Sequence, residues 1–157
     1  MPIKVSRINT LATVAIPTVT AWASYTPTFS AGFGTVSNVN IEWRRNGENL
    51  ELQGYWTNGT VAASIATMSL PPTLTVAASV TNQRPAGLVV SSAGTILRDV
   101  LIVASGSIIE FANTNTTSFV PKNVSTIFNN GENNSFIGVS IPITGWTAAT
   151  NNALLGI

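Results

Sequence analysis

Residues 39–56 constrain the fold of this chain more than any other stretch, because their pattern specifies a β-hairpin. Apolar and polar side chains alternate on both sides of Asn46-Gly47, with the period of two that belongs to a strand buried on one face. Asn-Gly is the pair that best tolerates the positive φ angles of a type I′ turn. The stretch therefore predicts two antiparallel strands that place Trp43 and Trp56 on the core side.

Two registers of this hairpin are compatible with the same inward face. A turn at Asn46-Gly47 satisfies the turn chemistry but sets Glu42 opposite Glu51, which is a repulsive pair. A turn at Gly47-Glu48 shifts the pairing by two residues and sets Arg44 opposite Glu51. Turn chemistry favours the first register and charge favours the second, so both stay open.

The rest of the chain is also rich in short strand candidates. They are separated by Gly, Pro, Asn and Ser, and they lie at residues 61–70, 74–80, 87–90, 96–103, 108–111, 124–128 and 136–143. Residues 100–103 are apolar on both faces, which predicts a central strand. The pattern predicts an all-β fold, an antiparallel jelly-roll-like sandwich of about eight strands with a short N-terminal arm.

The composition indicates a folded protein that works inside an assembly. Only 8% of the 157 residues are charged, against about 25% in an ordinary soluble domain. A hydrophobic share of 45% excludes a disordered chain. A folded protein with so few charges covers its surface with neutral polar groups or buries that surface against neighbours, and we expect both.

We divide the chain into an N-terminal arm at residues 1–21, a β domain at 22–146 and a C-terminal tail at 147–157. The arm and the tail carry apolar side chains that we expect at a partner interface: Ile3, Val5, Ile8, Leu11, Leu154, Leu155 and Ile157. Whether these segments dock on neighbouring subunits or form edge strands of their own subunit stays open.

The sequence argues against catalysis. Histidine and cysteine are absent, which excludes Ser-His-Asp triads, Cys-His dyads and zinc sites built on histidine or thiolate. Glu42 and Glu51 share one hairpin face, and glycosidases use two carboxylates roughly 5 to 10 Å apart. Arg44 lies beside them, so solvent-face ion pairs are the favoured interpretation. We predict no catalytic residue, no cofactor and no enzymatic activity.

Metal, nucleic-acid and membrane partners are not predicted either. The Asn-rich run 129–134 has a single carboxylate, too little charge for Ca²⁺, and is interpreted as a surface turn. The net charge is +1, and the members of Arg44-Arg45 point to opposite faces of a strand, so no basic patch forms. No apolar run approaches the roughly 18 to 20 residues that span a bilayer.

Four aromatic side chains have no face assigned by the pattern: Trp22, Tyr25, Tyr55 and Trp146. An exposed Tyr or Trp beside Asn and Thr would stack on a sugar or anchor an interface, whereas burial in the core is the more ordinary role.

Four short motifs follow one another between residues 22 and 72. They are Trp22-x-x-Tyr25-Thr26-Pro27, then Trp43-Arg44-Arg45-x-Gly47-x-x-Leu50-Glu51-x-x-Gly54, then Gly59-Thr60, then Leu70-Pro71. In this order the segment resembles one found in bacteriophage structural proteins, notably tail-fibre and head-decoration domains. Asn46 and Glu48 stand where the family pattern has Val and Asp, a change that keeps the turn. The resemblance implies a trimeric, jelly-roll-like virion domain without enzymatic activity.

Two virion roles follow from this resemblance. Because only a short arm precedes the matching segment, we expect a capsid cement (decoration) protein, a homotrimer that binds the major capsid protein on the capsid surface. Its arm would bury apolar residues against coat subunits, and its tail would bury them against a sister subunit. The alternative is a receptor-binding tail-fibre tip or head-fibre domain, for which a glycan is a possible partner. A carbohydrate-binding module is the further alternative.

Overall fold

The computed structural model describes residues 12–16, 18–78, 84–91, 97–102, 106–113, 121–147 and 149–153. The strands are β1 (Ala12–Ile16), β2 (Ala23–Tyr25), β3 (Ser37–Asn46), β4 (Asn49–Thr57), β5 (Thr67–Ser69), β6 (Arg84–Ser91), β7 (Leu97–Ile102), β8 (Ile108–Asn113), β9 (Asn133–Ile137), β10 (Val139–Pro142) and β11 (Ala149–Ala153). A 3₁₀ turn at Ala31–Phe33 and a one-turn helix α1 at Val124–Ile127 complete the described elements.

Nine of these strands form one antiparallel sheet in the order β2-β3-β4-β9-β6-β7-β8-β5, with β10 also paired to β4. Its two ends are joined, because the segment after β2 bonds to β5: the Ser30 amide donates to the Thr67 carbonyl at 3.0 Å, and the Ser69 amide donates to the Thr28 carbonyl at 2.9 Å. The sheet therefore folds over one core. The predicted antiparallel all-β sandwich is confirmed, while the jelly-roll topology stays a prediction.

The hairpin adopts the register favoured by charge. Arg44 pairs with Glu51 and Asn46 pairs with Asn49, which places the turn at Gly47-Glu48. Gly47 has a φ of 64°, the positive value at the first central position that a type II′ turn requires. The Arg44 Nε atom lies 2.6 Å from Glu51 Oε2. The hairpin therefore has the register that pairs the opposite charges, and not the type I′ turn at Asn46-Gly47.

A bulge shapes the other end of the hairpin. The pairing of β3 with β4 shifts between Ser37 and Asn40, and the Asn40 carbonyl lies close to Gly54. A Cβ atom at position 54 would stand 2.0 Å from the Asn40 oxygen and 2.8 Å from the Ile41 Cα atom. Gly54 also has a φ of 122°, so glycine is required here.

The core is built around the side chain of Trp56, which is fully buried as predicted. Its ring centroid lies 5.1 to 6.4 Å from those of Phe29, Phe111, Phe128 and Phe136. The indole Nε1 donates to Asn58 Oδ1 at 2.9 Å, which satisfies the one polar atom of the buried ring. Trp43 was also predicted to face the core, but its side chain is only partly buried and packs at the edge of this cluster.

Several predicted strands need correction. Residues 124–128 are not a strand but helix α1 and its C-cap, because Val124, Ile127 and Phe128 bury their side chains at the spacing of a helix. Residues 136–143 are interrupted at Gly138. Of the two predicted strands 61–70 and 74–80, the described residues 61–70 and 74–78 contribute β5 and isolated bridges at Ile65 and Val76, while residues 79–80 lie outside the described ranges.

The remaining strand predictions agree with the structure. Within the described residues, the predicted strands 87–90, 96–103 and 108–111 correspond to β6, β7 and β8, while residues 96 and 103 lie outside the described ranges. β7 lies between β6 and β8, as expected for the strand that is apolar on both faces.

Candidate functional site

One strand of the predicted arm and one strand of the predicted tail pair with each other rather than with the main sheet. β1 and β11 form a separate antiparallel two-stranded sheet, in register from Ala12 opposite Ala153 to Ile16 opposite Ala149. We call β1 and β11 the arm–tail ribbon. Part of the arm and part of the tail thus form one structural element. No pattern in either segment predicts this pairing.

The predicted interface residues fall outside the described residues: Ile3, Val5, Ile8, Leu11, Leu154, Leu155 and Ile157. The chain nevertheless links them to the ribbon, since Leu11 precedes Ala12 and Leu154 follows Ala153. Ala12 and Ala153 are paired. In sequence, both apolar sets are therefore continuous with the same end of the ribbon.

The arm is fixed to the body beside the hairpin turn. The Thr20 amide donates to the Arg45 carbonyl at 3.1 Å, and the Gly47 amide donates to the Thr18 carbonyl at 2.9 Å. The Arg45 amide donates in return to Thr20 Oγ1 at 3.0 Å. Residues 18–20 thereby extend the sheet by a short strand-like segment at the end of β3, and we call them the arm base.

The tail is fixed at the same place by the side chain of Arg45. Its Nε atom donates to the Gly47 carbonyl at 2.7 Å, and its Nη2 atom donates to the Thr147 carbonyl at 2.6 Å. The guanidinium lies 5.0 Å from the ring centroid of Trp146, which stacks on Trp43 at 6.3 Å. We call Trp43, Arg45, Trp146 and Thr147 the tail anchor.

The opposite face of the hairpin carries the charged side chains that were candidates for hydrolysis. Glu51 accepts from Arg44 Nε and from Asn46 Nδ2, both at 2.6 Å. The Asn46 amide and then the Arg44 guanidinium hold the pKa of Glu51 below its ordinary value. Glu42 instead accepts from Gln53 Nε2 at 2.7 Å. Each carboxylate has its own partner across the strands, and the two do not stand opposite each other.

A second ion pair is buried in the body. Arg98 and Glu132 approach to 2.8 Å, with 1% and 8% of their side-chain surfaces exposed. Arg98 also donates to the Ile127 carbonyl and lies 4.3 Å from the ring centroid of Phe128. Burial lowers the pKa of Arg98, and the charge of Glu132 opposes this effect. The single carboxylate of the run 129–134, Glu132, is therefore paired with an arginine.

Of the four unassigned aromatic side chains, Tyr55 is the exposed one. Trp22 lies under the Arg44 guanidinium at 4.5 Å, Trp146 belongs to the tail anchor, and burial raises the pKa of Tyr25. Tyr55 is 48% exposed and lines an open groove of about 400 Å³. The other lining residues are Asn38, Val39, Asn40, Thr57, Asn133 and Ser135.

Across the described ranges, no group of three or more His, Cys, Asp or Glu side chains is placed to hold a metal ion. Within those same ranges, no helix has the length and hydrophobicity needed to cross a membrane. The chain matches no protein-family model, no curated protein and no solved structure.

Proposed function

We propose that this chain is a bacteriophage virion structural protein without enzymatic activity, most specifically a homotrimeric capsid cement protein that binds the major capsid protein through its arm–tail ribbon. One observation carries the proposal. The arm and the tail pair outside the main sheet, and both are fixed to the body at one place, beside the hairpin turn.

The ribbon has the properties of a docking element. An isolated two-stranded sheet is marginally stable in water, so it gains stability from a surface on which to lie. In the part of the chain that the structure describes, β1 and β11 pair only with each other. Their outer edges are therefore available for strand addition to a coat subunit.

The apolar residues next to the ribbon supply a second source of binding energy. Burying one Leu or Ile side chain contributes about 1.5 to 3 kcal/mol, and seven such candidates of the Ile, Leu and Val type flank β1 and β11. Because both sets adjoin the paired residues Ala12 and Ala153 in sequence, we propose that arm and tail dock jointly on the coat. Repetition over a capsid would then let modest contacts resist internal DNA pressure.

The test uses virions of the phage that encodes this chain, prepared without the protein. The variant lacks residues 2–16 and keeps the arm base. We expect the wild-type protein to co-sediment with these particles and the variant to lose this binding. Light scattering should report three times the single-chain mass of 16.4 kDa for both proteins. An exposed body residue supplies the control, since Ile65→Ser removes apolar surface from the body and leaves residues 2–16 in place.

Undiminished binding of the truncated protein would refute the role of the ribbon. A monomeric wild-type protein would refute the trimer independently of attachment.

A receptor-binding fibre domain is the second candidate, and the groove beside Tyr55 is the observation in its favour. The two roles differ in location, since cement covers the capsid and a fibre domain projects from the tail or head. Immunogold labelling of intact virions separates them.

A further inference from the structure

We propose that the groove beside Tyr55 is a binding site for an uncharged saccharide. This inference does not depend on the cement role. The groove lies where β3, β4 and β9 meet, on the outer face of the hairpin. Its volume of about 400 Å³ falls within the roughly 300 to 1,000 Å³ of small-molecule sites.

An exposed aromatic ring forms one wall. Tyr55 occupies an outward position of β4, and within the described part of the chain no other aromatic ring and no arginine covers it. Trp22 differs in this respect because Arg44 lies over its ring at 4.5 Å. A free ring face with its negative quadrupole attracts the polarised C–H groups of a pyranose.

Hydrogen-bonding groups of both kinds surround the ring. Asn38 Nδ2 donates to Thr57 Oγ1 at 3.2 Å, and Thr57 Oγ1 donates to Asn133 Oδ1. These two bonds fix the side-chain amides of Asn38 and Asn133. They leave Asn38 Oδ1 and Asn133 Nδ2 with no hydrogen bond to another described residue. Sugar hydroxyls donate and accept at once, so they match such a mixture.

The charge of the groove determines the class of sugar. All seven lining residues are uncharged. The charged side chains of the same hairpin face lie further along the strands, where Glu51 is held by Arg44 and Glu42 by Gln53. An acidic sugar or a phosphate would find no cation here to offset its loss of solvation. The complementary ligand is therefore a neutral hexose or N-acetylhexosamine chain.

The backbone preforms the groove. Asn38 has a φ of 49°, in the left-handed region, and it sits within the bulge that shifts the pairing between Ser37 and Asn40. Gly54 permits the close approach of the two strands beside it. A site shaped by a fixed bulge loses little conformational entropy when a ligand binds.

The test is an NMR titration of the ¹⁵N-labelled full chain with a panel of neutral hexose and N-acetylhexosamine oligosaccharides, together with sialylated and uronic-acid counterparts. We expect at least one neutral sugar to shift the amide signals of Tyr55, Asn133 and Ser135. Tyr55→Ala should weaken binding about tenfold or more, whereas Tyr55→Phe should retain most of it because the ring remains.

Ile137→Ala is the matched control. Ile137 is 47% exposed on the neighbouring strand β9 but does not line the groove, so its replacement should leave the affinity unchanged. Asn40→Trp provides a second variant that fills the groove from an exposed position without removing the tyrosine, and it should abolish binding.

Three results would overturn the proposal: no shift with any neutral sugar, binding that survives both Tyr55→Ala and Asn40→Trp, or a preference for the charged sugars. Binding of Tyr55→Ala to virions should match that of the wild type, which separates failure of the sugar site from failure of the cement role.

Discussion

Replacing Arg45 by methionine should release the tail from the hairpin turn while the body remains folded. Methionine keeps much of the aliphatic length of the side chain but removes the guanidinium. That group donates to the Gly47 carbonyl at 2.7 Å and to the Thr147 carbonyl at 2.6 Å. No other described side chain bonds to Thr147, so the substitution removes the polar link between hairpin and tail.

The magnitude follows from the contacts. Hydrogen bonds to charged groups contribute about 1.5 to 3 kcal/mol each, and the contact with Trp146 at 5.0 Å adds about 0.5 to 1 kcal/mol. Arg45 is half-buried, so water replaces part of what is lost. We expect the free energy of opening of the tail to fall by about 2 to 4 kcal/mol, which corresponds to roughly 30-fold to 700-fold faster amide exchange.

The assay is hydrogen–deuterium exchange of the wild type and the variant, comparing peptides that contain β11 with peptides from β3 and β4. Arg44→Met is the control, because the adjacent arginine lies on the opposite face of the strand. Its ion pair with Glu51 is partly exposed and contributes about 0.2 to 1 kcal/mol. Equal protection of β11 in the wild type and in Arg45→Met, or an equal effect of Arg44→Met, would refute the anchor.

Three further perturbations test the body of the protein. Gly54→Ala should lower the free energy of unfolding by about 3 kcal/mol or more in urea denaturation, since the new Cβ atom would lie 2.0 Å from a backbone oxygen and residue 54 has a φ of 122°. A loss below about 1 kcal/mol would contradict the requirement for glycine, because it would mean that the two strands move apart easily. Glu132→Gln should lower the free energy of unfolding by about 3 to 5 kcal/mol, because it leaves Arg98 buried without its counter-ion. The double variant with Arg98→Met should lose less than the sum of the two single variants, and strict additivity would contradict this coupling. The pKa of Glu51 is lowered in the folded state, so the ionised Glu51 stabilises the fold fully above its unfolded-state pKa, and this stabilisation is lost as the pH falls through the folded-state pKa. The difference in free energy of unfolding between the wild type and Glu51→Gln should therefore shrink as the pH is lowered from about 5 to about 2. A difference that grows on acidification would contradict the assigned sign.

The sequence predicted what depends on local pattern. The alternation around Gly47 specified the hairpin, its inward Trp56 and its outward charged face, and the structure has all three. The register required a choice between turn preference and charge, and the 2.6 Å contact of Arg44 with Glu51 shows which one prevails. Helix α1 was missed because a single helical turn gives too short an apolar repeat to distinguish from a strand.

What depends on distant residues was beyond the sequence. No local pattern predicts that Arg98 is buried, yet its side chain pairs with Glu132 from a remote turn. The pairing of β1 with β11 joins opposite ends of the chain, and no local pattern specifies such a contact. The exposure of Tyr55 was left open by the sequence, and the groove beside it also needs Asn133 and Ser135 from β9.

The proposed attachment of a trimer to a viral capsid through the arm–tail ribbon is tested most directly by cryo-electron microscopy of virions from the phage that encodes this chain. We predict threefold density on the capsid surface, with β1 and β11 lying against the coat protein and the body projecting outward. Density confined to the tail, or capsid contacts made by the body with the ribbon free, would contradict the claim.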